Sequence, residues 1–299
     1  MNKDIKKTDS LKGSIMNIDT LKMFIMIAQK GSISAAAEEL GYAQSNISTR
    51  VHRLEDDLQA QLFYRSAQGV TLTSSGQEFY TQAIKIVGIA DAAVNNLKHP
   101  QEVNGTLKLG TLQTAASTFL PSVLAKYHQN NPNVEISIET GTTLKSANDV
   151  LNYKLDGAII GGMINEKQLE LLPLFNEKIC LVTSHNKEVD IQNDSLLVFP
   201  TGCAYRKTLE NWLDSQKVMI HHPIEFNYLN AIIASVSAGL GISILPERVI
   251  KPYVDSKALS IRQLPEKFAT LPVSFIYRKD HIPNKAFNNF INVLKEDHI

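Results

Sequence analysis

In the first ninety residues, hydrophobic positions recur every three or four residues, which is the spacing of amphipathic helices. Residues 20–30 predict one such helix, with Asp19 as its N-cap and Gly31 at its end. A short alanine-rich helix is predicted over residues 34–40, and a third helix over residues 43–58. Two short helices joined by a turn that contains glycine are typical of a helix-turn-helix.

The third helix has a polar face with no acidic residue before Glu55. Asn and Gln side chains pair with adenine, and Arg pairs with guanine or phosphate, so this face predicts DNA recognition; an ordinary solvated helix face is the alternative. Two short strands, residues 62–65 and 70–73, predict a wing from which Arg65 reaches the phosphate backbone. The residues that we expect to contact DNA are Gln44, Ser45, Asn46, Ser48, Thr49, Arg50, Arg53 and Arg65.

Residues 75–98 predict one long helix with a second pattern. Its small and hydrophobic residues are spaced alternately four and three apart, which is the a/d seam of a coiled coil and favours a partner helix. Packing of the seam on its own domain is the alternative. Residues 99–102 end this helix and predict a hinge. The seam that we expect between two copies of the chain consists of Phe79, Ala83, Ile86, Ala90, Ala93 and Leu97.

From Gly105 onward, strand and helix patterns alternate, which predicts two α/β lobes with parallel strands. Ligands of such sheets bind beyond the carboxyl ends of the strands, near helix N-termini that favour anions. Small and hydroxyl-bearing residues stand at these places, although each threonine has a helix cap as its alternative role. The ligand contacts that we expect are Gln113, Thr114, Ala115, Thr142, Thr143, Gly161, Thr201, Gly202, Cys203, Asn227 and Tyr228.

The composition narrows the class of protein. Thirty Lys and Arg residues balance thirty Asp and Glu residues, which excludes a uniformly basic surface but not a local basic face. Two cysteines exclude a disulfide framework and indicate a reducing compartment, so we expect a cytoplasmic protein. Cys203 lies at a predicted helix N-terminus one turn before Arg206, and both features lower the pKa of a thiol. We interpret Cys203 as a cleft-lining residue, with a redox-sensing thiol as the alternative.

Sequence motifs of catalysis are missing from the chain. It has no nucleophile-elbow, phosphate-loop or zinc-protease motif, and its eight histidines show no metal-ligand spacing. We therefore expect no enzymatic activity, no cofactor and no metal. The competing hypothesis is a small-solute-binding protein, or a small α/β enzyme, with an appended helical domain. The helix-turn-helix, the wing and the seam together argue against that hypothesis.

The stretch from Leu21 to Gly76 contains a set of residues with a specific spacing: Phe24, Gly31, Ser32, Ala36, Ala37, Leu40, Gln44, Ser48, Leu54, Glu55, Leu62, Phe63, Arg65, Leu72, Thr73 and Gly76. In these residues the stretch resembles the DNA-binding domain of LysR-type transcriptional regulators. The second half of the chain is similar to the effector domain of that family, which is itself similar to periplasmic binding proteins. The family often has Ser or Thr where Ala43 stands and Gly where Gln59 stands; the first change weakens a helix cap and the second alters a helix end.

The resemblance implies an α/β protein with an N-terminal winged helix-turn-helix, a long linker helix and a C-terminal two-lobed effector domain. On this basis we expect a disordered leader (1–15), a DNA-binding domain (16–74), a linker helix with a hinge (75–104) and an effector domain (105–299) whose lobes are 105–178 plus 271–299 and 179–270.

The implied function is sequence-specific regulation of transcription in response to a small-molecule effector. The recognition helices of a dimer enter successive major grooves, which predicts an interrupted inverted repeat in double-stranded DNA. The positions near helix N-termini favour a polar or anionic effector. The resemblance also implies a homodimer or homotetramer and RNA polymerase as a further partner, whereas no membrane partner is expected because no apolar run approaches the roughly 20 residues of a membrane span.

Overall fold

The computed structural model describes residues 17–66, 69–98, 103–219, 223–281 and 284–296. These residues fall into two compact units, Met1–Pro100 and Gln101–Ile299, and each unit is described by itself. The predicted leader, the hinge residues 99–102, the side chain of Leu97 and the adjacent His221 and His222 lie outside the described residues.

The first unit opens with three helices, α1 (Ile18–Lys30), α2 (Ile33–Leu40) and α3 (Gln44–Leu58). The N-cap of α1 is Asn17, whose side-chain oxygen accepts a first-turn amide at 2.8 Å. The expected cap, Asp19, lies instead in the first turn, where its negative charge interacts favourably with the positive end of the helix dipole. The chain therefore enters α1 slightly earlier than its hydrophobic pattern predicts.

Both ends of α3 depart from ideal helix termini. Ala43 precedes the helix and provides no side-chain hydrogen bond to its first amides. Gln59 follows the helix in the left-handed region with φ of 48°, which glycine adopts freely and which costs other residues about 1–2 kcal/mol. The two substitutions noted in the sequence thus leave α3 without a side-chain cap at its start and with a strained residue at its end.

The predicted wing is an antiparallel pair of strands, β1 (Phe63–Ser66) and β2 (Gly69–Leu72). A buried carboxylate fastens it to the end of α3. Glu55 Oε1 accepts the backbone amides of Leu62 and Phe63 at 2.8 and 3.1 Å. Its second oxygen accepts a hydrogen bond from Arg65 at 2.8 Å.

The long helix α4 (Ser74–Lys98) packs on α1 through the beginning of the predicted seam. The ring of Phe79 lies 5.2 Å from that of Phe24, and Ala83 is fully buried in the same core. Ala83 has no surface left for a partner chain, so the expectation that it lies between two chains is wrong and the alternative of packing on its own domain holds for it. Phe79 packs on Phe24 but stays half-buried. Further along α4, Ile86 is exposed and Ala90 is half-buried, although α1 still reaches this part of the helix through the ion pair of Lys22 with Asp91 at 2.9 Å.

The first elements of the second unit are β3 (Gly105–Thr111), α5 (Gln113–Thr118), α6 (Leu120–Asn130), β4 (Val134–Thr140), α7 (Thr143–Leu151) and β5 (Gly157–Gly161). The strand β3 pairs in parallel with β4 on one side and with β5 on the other. The helices α5 and α6 meet at Phe119, just before a proline in the first turn of α6. Proline lacks an amide hydrogen and is tolerated in that first turn.

The remaining elements are β6 (Leu169–Ser184), β7 (Leu197–Val198), α8 (Ala204–Ser215), β8 (Ile224–Glu225), α9 (Leu229–Ser237), β9 (Ser243–Pro246), α10 (Glu247–Asp255), β10 (Leu259–Gln263), β11 (Thr270–Arg278) and α11 (Lys285–Glu296). The strand β6 is 16 residues long and pairs antiparallel with β11 along its first half. Along its second half it pairs antiparallel with β9 and β10. The two lobes are therefore joined by antiparallel strands, where the sequence predicts parallel units alone.

The Glu55 network generates a prediction about stability. Glu55→Ala leaves the amides of Leu62 and Phe63 without an acceptor, at about 1–3 kcal/mol for each buried group. We expect denaturant unfolding followed by circular dichroism to show a first unit weakened by several kcal/mol. The control is Glu39→Ala, which removes only an exposed pair with Lys30 worth about 0–1 kcal/mol. Equal losses in the two variants would contradict the role of Glu55.

Candidate functional site

The residues predicted to read DNA lie on the exposed side of α3, at its N-terminal half. Gln44, Ser45, Asn46 and Thr49 are exposed, and the hydroxyl of Thr49 donates to the carbonyl of Ser45 at 2.8 Å. Ser48 and Arg50 are half-buried, and Arg53 is exposed one turn further on. The N-terminal residues of a recognition helix are those that contact base edges, so this half of α3 presents neutral donors and acceptors followed by two cations.

Arg65 lies apart from that face and already has partners within the unit. Its guanidinium forms an ion pair with Glu55 at 2.8 Å and also contacts His52. The ion pair holds the wing against α3, which is a structural task that the sequence did not indicate. The same pair neutralises Glu55, so the nearest acidic residue of α3 adds little repulsion toward a phosphate backbone.

An apolar strip remains on α4 beyond the core of the first unit. Ile86, Ile89 and Val94 are 39%, 59% and 47% exposed, and Ala93 is exposed beside them. Contiguous apolar side chains on a helix surface mark an interaction surface when they recur along one side. Ile89 and Val94 belong to this strip although they are outside the predicted seam, and Ala90 is half-buried next to it.

In the second unit, a cavity of about 520 Å³ lies between the two lobes. Seven of the predicted ligand contacts line it: Gln113, Thr114, Thr142, Thr201, Cys203, Asn227 and Tyr228. Sequence reasoning missed Leu112, Thr140, Gly141, Lys145, Phe199, Pro200 and Tyr205, which line it too. Most of the missed residues adjoin the predicted segments, but Lys145 and Tyr205 reach the cavity from within helices, where no strand-end rule points to them.

Four predicted contacts lie elsewhere. Thr143, Gly161 and Gly202 line a neighbouring cavity of about 610 Å³, and Ala115 is buried in the core. The hydroxyl of Thr143 donates to the carbonyl of Gly161 at 2.9 Å and accepts its amide at 3.3 Å. Thr143 therefore ties α7 to β5 through both hydrogen bonds of its hydroxyl.

Gln113 lines the cavity but uses its side chain to bridge the lobes. Its Nε2 donates to the carbonyl of Asn227 at 2.5 Å, and its Oε1 accepts the amide of Leu229 at 2.8 Å. A second bridge joins the amide of Leu144 to the carbonyl of Gly202 at 3.3 Å. These bonds hold the two walls of the cavity together at either side.

The floor of the cavity is a chain of buried hydroxyl groups that ends on a carboxylate. The Thr114 and Tyr205 oxygens lie 2.8 Å apart, and the Tyr205 hydroxyl donates to Glu177 Oε2 at 2.6 Å. Burial raises the pKa of Glu177, while its bond from Tyr205 and the charge of Arg248 oppose that rise. Burial, together with the adjacent carboxylate, raises the pKa of Tyr205 well above its usual value, so its hydroxyl keeps its proton.

Among the described residues that line this cavity, Lys145 brings the one positive side chain. Its ammonium lies 2.7 Å from Asp149 and 3.4 Å from Glu139. The hydrogen bond to Asp149 is the main reason that the pKa of Lys145 is raised, so the side chain stays charged at neutral pH. Both carboxylates partly compensate its charge.

The expectation of a low pKa for Cys203 is wrong. The residue is buried, and burial raises its pKa against the smaller opposing effects of the Arg206 and Tyr205 amides and the Arg206 charge. Arg206 instead forms short ion pairs with Glu210 and Glu225, at 2.7 and 2.6 Å. The positive charge on which a reactive thiol would depend is thereby largely compensated.

Two features are absent from the described part of the chain. Among those residues, no group of three or more His, Cys, Asp or Glu side chains is arranged to hold a metal ion. Within the same ranges, no helix combines the length and the apolar character needed to cross a membrane.

Comparison with known proteins gives matches over nearly the whole chain. The model of the bacterial regulatory helix-turn-helix protein, lysR family, matches residues 18–77, and that of the LysR substrate binding domain matches residues 100–298. The HTH-type transcriptional regulator YofA of Bacillus velezensis is 38% identical over 283 residues, which is 94% of this chain and 98% of the relative. The uncharacterized HTH-type transcriptional regulator YusT of Bacillus subtilis is 39% identical over 280 residues, or 93% and 95% of the two chains.

Solved structures show the same fold. A full-length OxyR variant from Pseudomonas aeruginosa aligns with a TM-score of 0.72 at 24% identity, covering 94% of this chain and 95% of that one. Full-length CbnR in complex with its target DNA aligns with a TM-score of 0.62 at 20% identity, covering 94% and 99%.

The burial of the two cysteines generates a prediction about reactivity. A buried thiol with a raised pKa has little thiolate at neutral pH, so Cys203 should react slowly with Ellman's reagent in the folded chain. Cys180, whose pKa burial raises to about 12, should be equally slow. Both should react at once in denaturant, which serves as the control. Rapid release of one equivalent from the folded wild type, absent in Cys203→Ser, would restore the redox interpretation.

Proposed function

Because the chain belongs to the LysR family of DNA-binding transcriptional regulators, we propose that α3 of two copies reads an interrupted inverted repeat and that the cavity between the lobes binds the controlling effector. The exposed N-terminal half of α3 carries the first part of this proposal. Its neutral side chains are suited to base edges, and the cations that follow are suited to phosphate or guanine. The nearest acid, Glu55, is neutralised by Arg65.

Two copies of the chain meet, in this proposal, through the apolar strip of α4 formed by Ile86, Ile89, Ala93 and Val94. A dimer places two recognition helices at successive major grooves, which is why the expected operator is an interrupted inverted repeat. Further pairing into a homotetramer, and contact with RNA polymerase, rest on family membership alone. The DNA of a bacterium lies in the cytoplasm, so we expect such a regulator to act there.

The cavity supports a small polar or anionic effector. A volume of about 520 Å³ is within the usual range of small-molecule sites. Its walls carry threonine hydroxyls, the Lys145 ammonium and the start of α8, where backbone amides favour negative charge. The bridges of Gln113 and Gly202 join the lobes around it, so a ligand that alters the spacing of the walls also alters these bonds.

The test of DNA reading is a comparison of three variants on operator and random DNA. Genome-wide mapping of bound sites should first yield an interrupted inverted repeat. Asn46→Ala and Arg50→Ala should then weaken operator binding by roughly 1–3 kcal/mol per lost base contact, with little effect on random DNA.

The matched control is Arg53→Ala, which removes a cation placed for phosphate. It should weaken binding to both DNAs alike and lower the salt slope by about one. If all three variants lose operator and random DNA equally, α3 does not read sequence as proposed.

The assembly is tested by adding charge to the apolar strip. Ile86→Asp places an unpaired carboxylate in the proposed interface and should dissociate the dimer, as measured by light scattering. Gln77→Asp adds the same charge at an exposed position nine residues away, on the opposite side of α4, and should leave the dimer intact. An unchanged oligomer for Ile86→Asp would remove α4 from the interface.

A further inference from the structure

We propose that the effector is a small amino acid or hydroxy acid, which rests its amino or hydroxyl group on Thr114 and directs its carboxylate toward Lys145. This inference rests on the proposed function of the cavity and adds the chemical class of its ligand. It follows from the direction of the hydrogen bonds in the cavity floor.

The direction of these hydrogen bonds is set at the buried end of the series of hydroxyl groups, by Glu177. Glu177 is 3% exposed and lies 3.7 Å from the Nε of Arg248, which also stacks on the ring of Phe175 at 4.7 Å. The Tyr205 hydroxyl donates its single hydrogen to Glu177 Oε2 at 2.6 Å, so that hydrogen is committed to Glu177.

The next bond must then run from Thr114. The Tyr205 oxygen has no second hydrogen to give, so at 2.8 Å it accepts the hydrogen of the Thr114 hydroxyl. Thr114 lines the cavity with that hydrogen already committed, and what it offers to a ligand is lone pairs. The floor of the cavity is therefore an acceptor, with a negative charge two hydrogen bonds behind it.

An acceptor floor discriminates between ligand groups. An ammonium, amine or hydroxyl group supplies the hydrogen that Thr114 needs. A keto or carboxylate oxygen at the same place meets only lone pairs, and a bare methylene group leaves the floor unsatisfied. A site built to pair with a polar group rejects analogues that lack it far more strongly than an apolar pocket does.

The wall of the cavity presents hydrogen-bond donors, whereas the floor presents an acceptor. The Lys145 ammonium has three N–H donors, of which Asp149 and Glu139 accept two, so a third is available to a ligand. The Thr142 oxygen accepts the amide of Lys145, which leaves the hydroxyl hydrogen of Thr142 to donate. Donors at the wall and an acceptor at the floor match a molecule with a carboxylate at one end and an N–H or O–H group at the other.

The experiment uses the full-length chain and matched sets of acids with three, four and five carbons. Each set contains the 2-amino, 2-hydroxy, 2-oxo and unsubstituted acid of one skeleton, and ligand binding is measured by the shift in melting temperature. In at least one set, the amino or hydroxy acid should bind about tenfold or more tightly than the oxo and unsubstituted acids. An oxo or unsubstituted acid that binds equally well, or the failure of every donor-bearing acid to bind, would overturn the proposal.

Variants of the chain test the bond direction itself. In Glu177→Gln the carboxamide oxygen takes the place of Oε1 beside Arg248, so the carboxamide N–H faces Tyr205 and donates to it. The Tyr205 hydrogen then turns to Thr114, and the Thr114 hydrogen turns to the cavity. The preference for donor-bearing acids should then fall about tenfold or reverse. If Glu177 were only structural, its replacement would lower the melting temperature without changing the ratio between the acids, and that result would overturn the proposal.

Three further variants test the same hydrogen bonds, so that the misfolding of one variant does not decide the outcome. Tyr205→Phe removes the acceptor of the Thr114 hydrogen and should shift the preference in the same direction as Glu177→Gln. Thr114→Ser keeps the hydroxyl and should keep the preference, whereas Thr114→Val should lose it. Operator binding measured on the same samples separates the two levels: loss of the ligand preference with intact operator binding overturns only the ligand class, whereas wild-type protein that binds no operator argues against the proposed function.

Discussion

The strand β6 belongs to both lobes of the second unit, and the cavity exists because of that sharing. Its first half pairs with β11 and its second half with β9 and β10, so the backbone passes from one lobe to the other without a break. Pairing along 16 residues holds the two lobes side by side. Glu177 lies in the middle of this strand, buried where the lobes meet, and the hydroxyl chain of the cavity floor ends on it.

Each unit thus organises a functional surface around one buried carboxylate. Glu55 accepts two amides and a guanidinium, and so joins the wing to α3. Glu177 accepts the Tyr205 hydroxyl and faces Arg248, and so joins α8 and α10 to the crossing strand. A buried charge is stable only when hydrogen bonds and an opposite charge replace its water, which makes each carboxylate a fixed point for the elements that supply its partners.

The hydrogen bonds that join the two walls of the cavity differ from those of its floor in their exposure to water. The Gln113 and Leu144 bridges join surface loops and helix starts of opposite lobes, where water competes with each bond. The floor bonds of Thr114 and Tyr205 are shielded from water and are therefore electrostatically stronger. The walls are consequently the adaptable part of the site, and the floor is the part that sets the polarity of the ligand.

Local patterns in the sequence were sufficient to predict the helix-turn-helix, the wing and the position of threonines at the strand ends. Helical periodicity and the glycines that end α1 and α2 are properties of short stretches, so they can be read without knowing what packs where. The first half of β6 contains Pro173, a residue atypical of a central strand, and the structure accommodates it at a register shift opposite Val273 and Ser274.

Only the tertiary structure decided which polar groups meet. Thr114 and Tyr205 are 91 residues apart, and Glu55 and Arg65 are on different elements, so neither pair leaves a periodic signal. The packing of Phe79 was likewise decided by the tertiary structure. Its spacing fits a seam between two chains, but its ring packs against Phe24 of its own unit. Sequence periodicity determines which side of an element is apolar, whereas the partner of each side chain is settled by the docking of elements far apart in the chain.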